Sequence, residues 1–175
     1  MKLLVTGLAA LAAAVPLTGV AAAAPSAPEV PGGIAVEEGN KPFLIGHAVG
    51  VQIYRCNGAS WAPVAPRANL YGDNGQLIAT HFGGPSWQAK DGSKVVAQRI
   101  KDPITVDPTA IPWLLLEAKQ VTAGPDGDRL AGTTFIQRIR TTGGLAPDAS
   151  TCTAETAADE AEVPYTADYV FWKNR

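Results

Sequence analysis

Arg67-Ala68-Asn69-Leu70-Tyr71, then Gly72-Asp73-Asn74-Gly75, then Gln76 to Phe82 carry the clearest turn signal in the chain. Asn-Gly supplies the positive φ angles that a tight hairpin turn requires. The flanking segments therefore read as two antiparallel strands. The next segments repeat the arrangement, with Ser86 to Ala89 and Ser93 to Ile100 flanking Lys90-Asp91-Gly92. Asp-Gly is the second hairpin signal.

Upstream, Gly46 to Cys56 alternates with period two, Val49, Val51 and Ile53 on one face and Gln52 and Tyr54 on the other. Downstream, Ala110 to Val121 carries the unalternated run Trp113-Leu114-Leu115-Leu116, which reads as a strand buried on both faces. Gly124-Pro125-Asp126-Gly127 turns the chain into Leu130 to Thr141, where Phe135, Gln137 and Ile139 alternate with Ile136 and Arg138. Thr142-Gly143-Gly144 ends that strand. In Val163 to Trp172 the rings of Tyr165, Tyr169 and Phe171 share one face, with Thr166, Asp168, Val170 and Trp172 on the other. Ala154 to Glu162, rich in Ala and acid, reads as one short helix or an acidic loop. The fold class is therefore all-β: about eight antiparallel strands in a β-sandwich or a closed β-barrel, with at most one short helix.

Composition agrees with many turns, since the 175 residues include Gly 18 and Pro 14. With 46% apolar and 17% charged residues, the chain has the makings of a core. A formal charge of −2 with no large basic run argues against nucleic acid as a partner. Residues 1–22 have the layout of a signal peptide: Lys2, an apolar run from Leu3 to Val15, and small residues up to a cleavage site after Ala22. The run is too short to be a transmembrane segment. Residues 23–41 read as an extended Pro/Gly-rich leader that becomes ordered only near Pro42-Phe43, and 42–175 as a single β domain.

Export bears on Cys56 and Cys152, the only two cysteines. In an oxidising compartment such a pair means one disulfide. Closing a loop of almost a hundred residues would stabilise the fold by roughly 4–5 kcal/mol in the chain-entropy treatment. A metal site built on both thiols lacks partners at ligand spacing.

Several stretches together resemble a known family: Gly50-Val51-Gln52-Ile53-Tyr54-Arg55-Cys56, Ala65-Pro66-Arg67-Ala68-Asn69-Leu70, His81-Phe82-Gly83-Gly84-Pro85-Ser86-Trp87, Ala110-Ile111-Pro112-Trp113 and Val163-Pro164-Tyr165-Thr166-Ala167-Asp168-Tyr169. The set is similar to a secreted domain-of-unknown-function family of bacteria and fungi and covers nearly all of the mature chain. The resemblance implies an extracellular single domain and assigns no activity. Some fungal members carry a malate-dehydrogenase label, which this sequence does not support. A nicotinamide enzyme needs a Gly-rich turn within a βαβ unit, and Gly143-Gly144 lies in no such unit.

Motifs for chemistry are few. There are two histidines, His47 and His81, so a metal would need carboxylate help, and no set of ligands stands at helical spacing. No Gly-x-Ser-x-Gly elbow, P-loop or metalloprotease helix is present. His81, late in a strand before a Gly-Gly-Pro turn, is a candidate general base or a ring that ties down its own turn. Asp168, in an aromatic strand, reads as paired with Arg138 or Arg140. Trp61 and Trp87, beside Pro63 and Pro85, are candidates to stack on a ligand, or else core residues.

The reading is a secreted, non-catalytic β domain binding an extracellular or cell-surface ligand such as a glycan through Trp61, Trp87 and His81, without cofactor or metal. The alternative is a small extracellular enzyme, a hydrolase or cofactor-free lyase or isomerase, with His81, Asp168 and Arg138 at a barrel mouth. Convergence of those three side chains on one concave pocket separates the two.

Overall fold

Hairpin turns join only antiparallel neighbours, and the chain follows that rule throughout. The computed structural model describes residues 24–175; the signal-peptide expectation for 1–22 lies outside the described residues. Eight strands follow in order: β1 (Asn40–Cys56), β2 (Trp61–Tyr71), β3 (Leu77–Phe82), β4 (Ser86–Ala89), β5 (Lys94–Arg99), β6 (Leu114–Thr122), β7 (Phe135–Gly143) and β8 (Glu160–Asn174). Each pairs with its sequence neighbour, and β8 pairs with β1, closing an up-and-down barrel. Of the two architectures open from sequence, the barrel forms.

Alternation sorts side chains between an inner and an outer wall. Inward come Ala48, Leu70, Trp87, Leu116, Ile136, Tyr169 and Phe171, all buried. Eight strands enclose room for little more than side chains, and β1 turns its small residues inward. A Cβ at Gly50 would stand 2.5 Å from that of Ala68, and one at Gly46 would stand 2.7 Å from Leu70. Leu130, wholly buried, belongs to the same cluster, with its N–H donating to Ser93 Oγ at 3.0 Å. It stops the barrel at the Asn40 and Phe135 end.

On the outer wall, Leu115, Ile139, Val170 and Trp172 form a second cluster. The leader covers it: a 3-10 turn at Gly32–Ile34 buries Ile34 completely, with Val30 and Val36 packed alongside. Gln137, buried beneath, donates to the Ile34 carbonyl at 2.7 Å and accepts from Trp172 Nε1 at 2.9 Å. The leader thus packs against the wall well before Pro42, and this is why the Trp113 to Leu116 run lacks alternation: both faces of β6 are covered.

At the other end β1, β2 and β8 outrun their neighbours. β2 pairs with β3 only from Ala68 onward, and β8 pairs with β7 only from Tyr165. The two free edges carry Pro63, Pro66 and Pro164, which have no N–H to offer another strand. Cys56 and Cys152 bridge this end, their Cα atoms 5.4 Å apart. The helix considered for Ala154 to Glu162 does not form. Turns run to Ala158, and Glu160 and Glu162 already belong to β8. There they meet Arg55 at 2.5 Å and Arg67 at 2.6 Å, so cross-strand pairing overrides helix propensity. Among the described residues no helix is long and apolar enough to cross a membrane.

Candidate functional site

Where β3 enters the Gly83-Gly84-Pro85 turn, the barrel interior is incompletely filled. A cavity of about 100 Å³ is lined by Gln52, Pro66, His81, Pro85, Trp87, Leu114, Leu116, Arg138 and Tyr169. Exposed Pro85 and half-buried Pro66 belong to its rim, and the rest belong to the inner wall.

His81 and Trp87 face each other across the β3–β4 ladder and stack at 4.2 Å between centroids, 5° from parallel. Tyr169 presents its edge to both rings, 4.9 Å from His81 and 5.3 Å from Trp87. His81 Nδ1 lies 2.9 Å from the Ser86 carbonyl. A carbonyl only accepts, so Nδ1 carries the proton and Nε2 the lone pair. Burial pushes the His81 pKa down to about 3, the Ser86 bond opposes this, and the Arg138 charge adds to the depression. The ring is neutral at ordinary pH. Burial likewise pushes the Tyr169 hydroxyl up, as it does that of Tyr165, with the two oxygens 3.3 Å apart.

Arg138 comes inward from β7 in step with Ile136. Its Nε and Nη2 donate to the Pro112 carbonyl at 3.1 and 2.7 Å. Two residues on, the parity breaks. Arg140 takes φ 49°, and the β7–β8 register slips between Ile139 and Thr142. Such a bulge re-aims the side chains that follow it. Arg140 therefore points outward to Asp168, Nη1 to Oδ2 at 2.9 Å, while Thr141 turns inward and donates to the Ile111 carbonyl at 2.6 Å.

Of the three residues considered for catalysis, His81 and Arg138 share the cavity and Asp168 does not. Asp168 stands on the outer wall, where its Oδ1 is 2.7 Å from His47 Nδ1. His47 Nε2 reaches Asp73 at 2.8 Å, and these carboxylates, Asp73 foremost, raise its pKa. The sequence left the partner of Asp168 open between two arginines; it is Arg140. Of the residues considered for ligand stacking, Trp87 is wholly buried and engaged with His81. Trp61 stands apart, at the disulfide end opposite Cys56, its Nε1 donating to Thr151 Oγ1 at 3.0 Å. Gln52 and Tyr169 were not singled out from sequence. Their signal was parity: Gln52 follows Ala48 and Gly50 on the small face of β1, and Tyr169 shares its face with Tyr165 and Phe171.

Among the described residues no group of three or more His, Cys, Asp or Glu side chains stands ready to hold a metal ion. Gly143-Gly144 closes β7 beside Tyr165 and Gln52 and leads only into a 3-10 turn at Ala149–Thr151, not into the α-helix of a βαβ unit. With that geometry in hand, comparison with known proteins adds one finding: a family model described as Protein of unknown function (DUF3455) matches residues 37–173. No curated protein and no solved structure matches the chain.

Proposed function

The chain belongs to that family, and from this premise we propose that it is an exported binding domain that takes a small molecule into the barrel mouth and does no chemistry on it. The observation that carries this reading is the cavity of about 100 Å³ between the His81–Trp87–Tyr169 stack and the apolar walls Leu114, Leu116, Pro66 and Pro85. Mainly apolar, preformed cavities with a few polar groups are how proteins hold small ligands. Rings already packed in place lose little freedom when a ligand arrives. Export is supported by the Cys56–Cys152 bridge, of a kind that persists in oxidising compartments, and by the pattern of residues 1–22. A glycan laid across surface rings fits less well, because Trp87 is wholly buried and stacked on His81.

A small hydrolase, lyase or isomerase is the second reading. What favours it is the His81 Nε2 lone pair beside a cation in one cavity. Against it stand the Asp168 carboxylate on the far side of the wall and a base that protonates only near pH 3. A fragment library of molecules of up to about ten heavy atoms, screened by ligand-observed NMR beside a glycan array, tests the proposal. Retention of fragments that His81→Phe weakens is the expected result. A protein that retains no fragment, or that turns one over, overturns it.

A further inference from the structure

We infer that the cavity takes a small carboxylate with a short apolar body, an inference that rests on the small-molecule reading above. Hydrogen-bond donors and acceptors around the cavity are out of balance. Trp87 Nε1 and Gln52 Nε2 are both buried with no acceptor at hydrogen-bonding geometry, Gln52 having only the Tyr165 hydroxyl near it, and both residues line the cavity. Buried donors are nearly always satisfied, so two at one cavity are an anomaly that asks for an acceptor. Arg138 is the third donor. Among the described residues it meets neutral acceptors alone, the Pro112 carbonyl and the Tyr169 hydroxyl, and it makes none of the ion pairs found there. Among the described residues no Asp or Glu lines the cavity. A partly buried guanidinium facing a low-dielectric space with no counter-charge is unfavourable, and an anion supplied from outside relieves it.

Three features select a carboxylate among anions. Arg is suited to planar, two-oxygen recognition. One cation matches one negative charge, where a phosphate dianion asks for more donors. The remaining lining of Leu114, Leu116, Pro66 and Pro85 offers nothing to a second polar group but suits a small hydrocarbon body. Since a cavity of ~150 Å³ holds benzene, one of about 100 Å³ takes roughly four to six heavy atoms. His81 Nε2 presents a lone pair, which repels a carboxylate oxygen and so turns the headgroup toward Arg138 and Trp87.

The test titrates the exported chain with isobutyrate, isobutyramide and inorganic phosphate. The readout is the Trp87 indole N–H cross-peak in a ¹H–¹⁵N spectrum, assigned by its loss in Trp87→Phe. The acid should shift that peak saturably and bind at least about tenfold more tightly than the amide, the difference between a charged and a neutral acceptor. Arg138→Met should erase the preference, and Arg138→Lys, which keeps the charge if the Met variant fails to fold, should weaken binding yet keep acid ahead of amide. Equal affinity for acid and amide overturns the carboxylate assignment while leaving small-molecule binding intact. Tighter binding of phosphate than of isobutyrate, a preference that survives Arg138→Met, or a Trp87 peak that no probe moves also overturns it. In the last case the fragment screen decides whether the small-molecule reading falls too.

Discussion

His47 and His81 stand on opposite sides of one sheet, and the two walls treat the same side chain in opposite ways. On the outer wall His47 lies between the carboxylates of Asp73 and Asp168, half exposed, and gains a proton more readily than a free histidine. On the inner wall His81 is 4% exposed, stacked on Trp87, near a guanidinium and no acid, and resists a proton until about pH 3. The acids have collected outside, where water pays most of the solvation. The donors left without partners have collected inside. A barrel wall one residue thick can hold such a contrast because adjacent residues of a strand face opposite ways.

Acid should expose the contrast most strongly. An unfolded chain protonates its histidine near 6.5, whereas folded His81 waits until about 3. The unfolded state therefore binds the extra proton between those values, and stability should fall by roughly 1.4 kcal/mol per pH unit on descending through that window, adding to the loss from carboxylates. Urea denaturation at stepped pH should give a shallower slope for His81→Phe than for the parent; identical slopes would mean that the inner wall does not exclude the charge.

Next in size is Trp87→Ala, which removes the largest fully buried side chain and leaves a void. Its cost should be about 3–5 kcal/mol, read from the same denaturation curves, while Trp61→Ala at the half-exposed rim should cost far less. Ile34→Ala tests the leader's hold on the outer wall. Its side chain is wholly buried over Leu115 and Val170, so a loss of roughly 2–4 kcal/mol is expected; a negligible loss would show that the leader only rests on the wall.

The smallest effect belongs to His47→Ala, within about 1 kcal/mol, as befits ion pairs near solvent. Its sign is the informative part. Because the folded pKa of His47 is raised, its stabilisation is fully present below 6.5 and disappears as pH rises through the folded value, opposite to His81. Following both imidazoles by NMR should show His47 titrating above 6.5 while His81 stays neutral at pH 4. Two coincident titrations would erase the distinction between the walls.

Much of this was legible along the chain. The Asn74-Gly75 and Asp91-Gly92 turns, the parity of Tyr165, Tyr169 and Phe171, and the unalternated run at Leu114 to Leu116 all describe the strands that form. The site was less legible. Arg138 and Arg140 have the same parity, so nothing local says that one enters the barrel and the other leaves it; the bulge between them decides. Trp87 stood open between ligand stacking and core packing, and β4 carries it inward against His81. Ala154 to Glu162 read as a helix candidate because Arg55 and Arg67, which hold Glu160 and Glu162 in β8, are remote in sequence.

The antiparallel strands and their hairpins are written along the chain, because period-two patterning and turn stereochemistry are properties of neighbouring residues, and the disulfide followed from there being two cysteines behind an export-like N-terminus. It took the folded chain to show that the sheet closes, that the Gly46-Ala48-Gly50 face of β1 lies inside rather than its valine face, and that Arg138, Gln52 and Trp87 meet around one cavity lined by no acid among the described residues. Those outcomes depend on the volume enclosed by eight strands and on a single change of parity in β7, quantities that arise only when residues far apart in the chain are brought together.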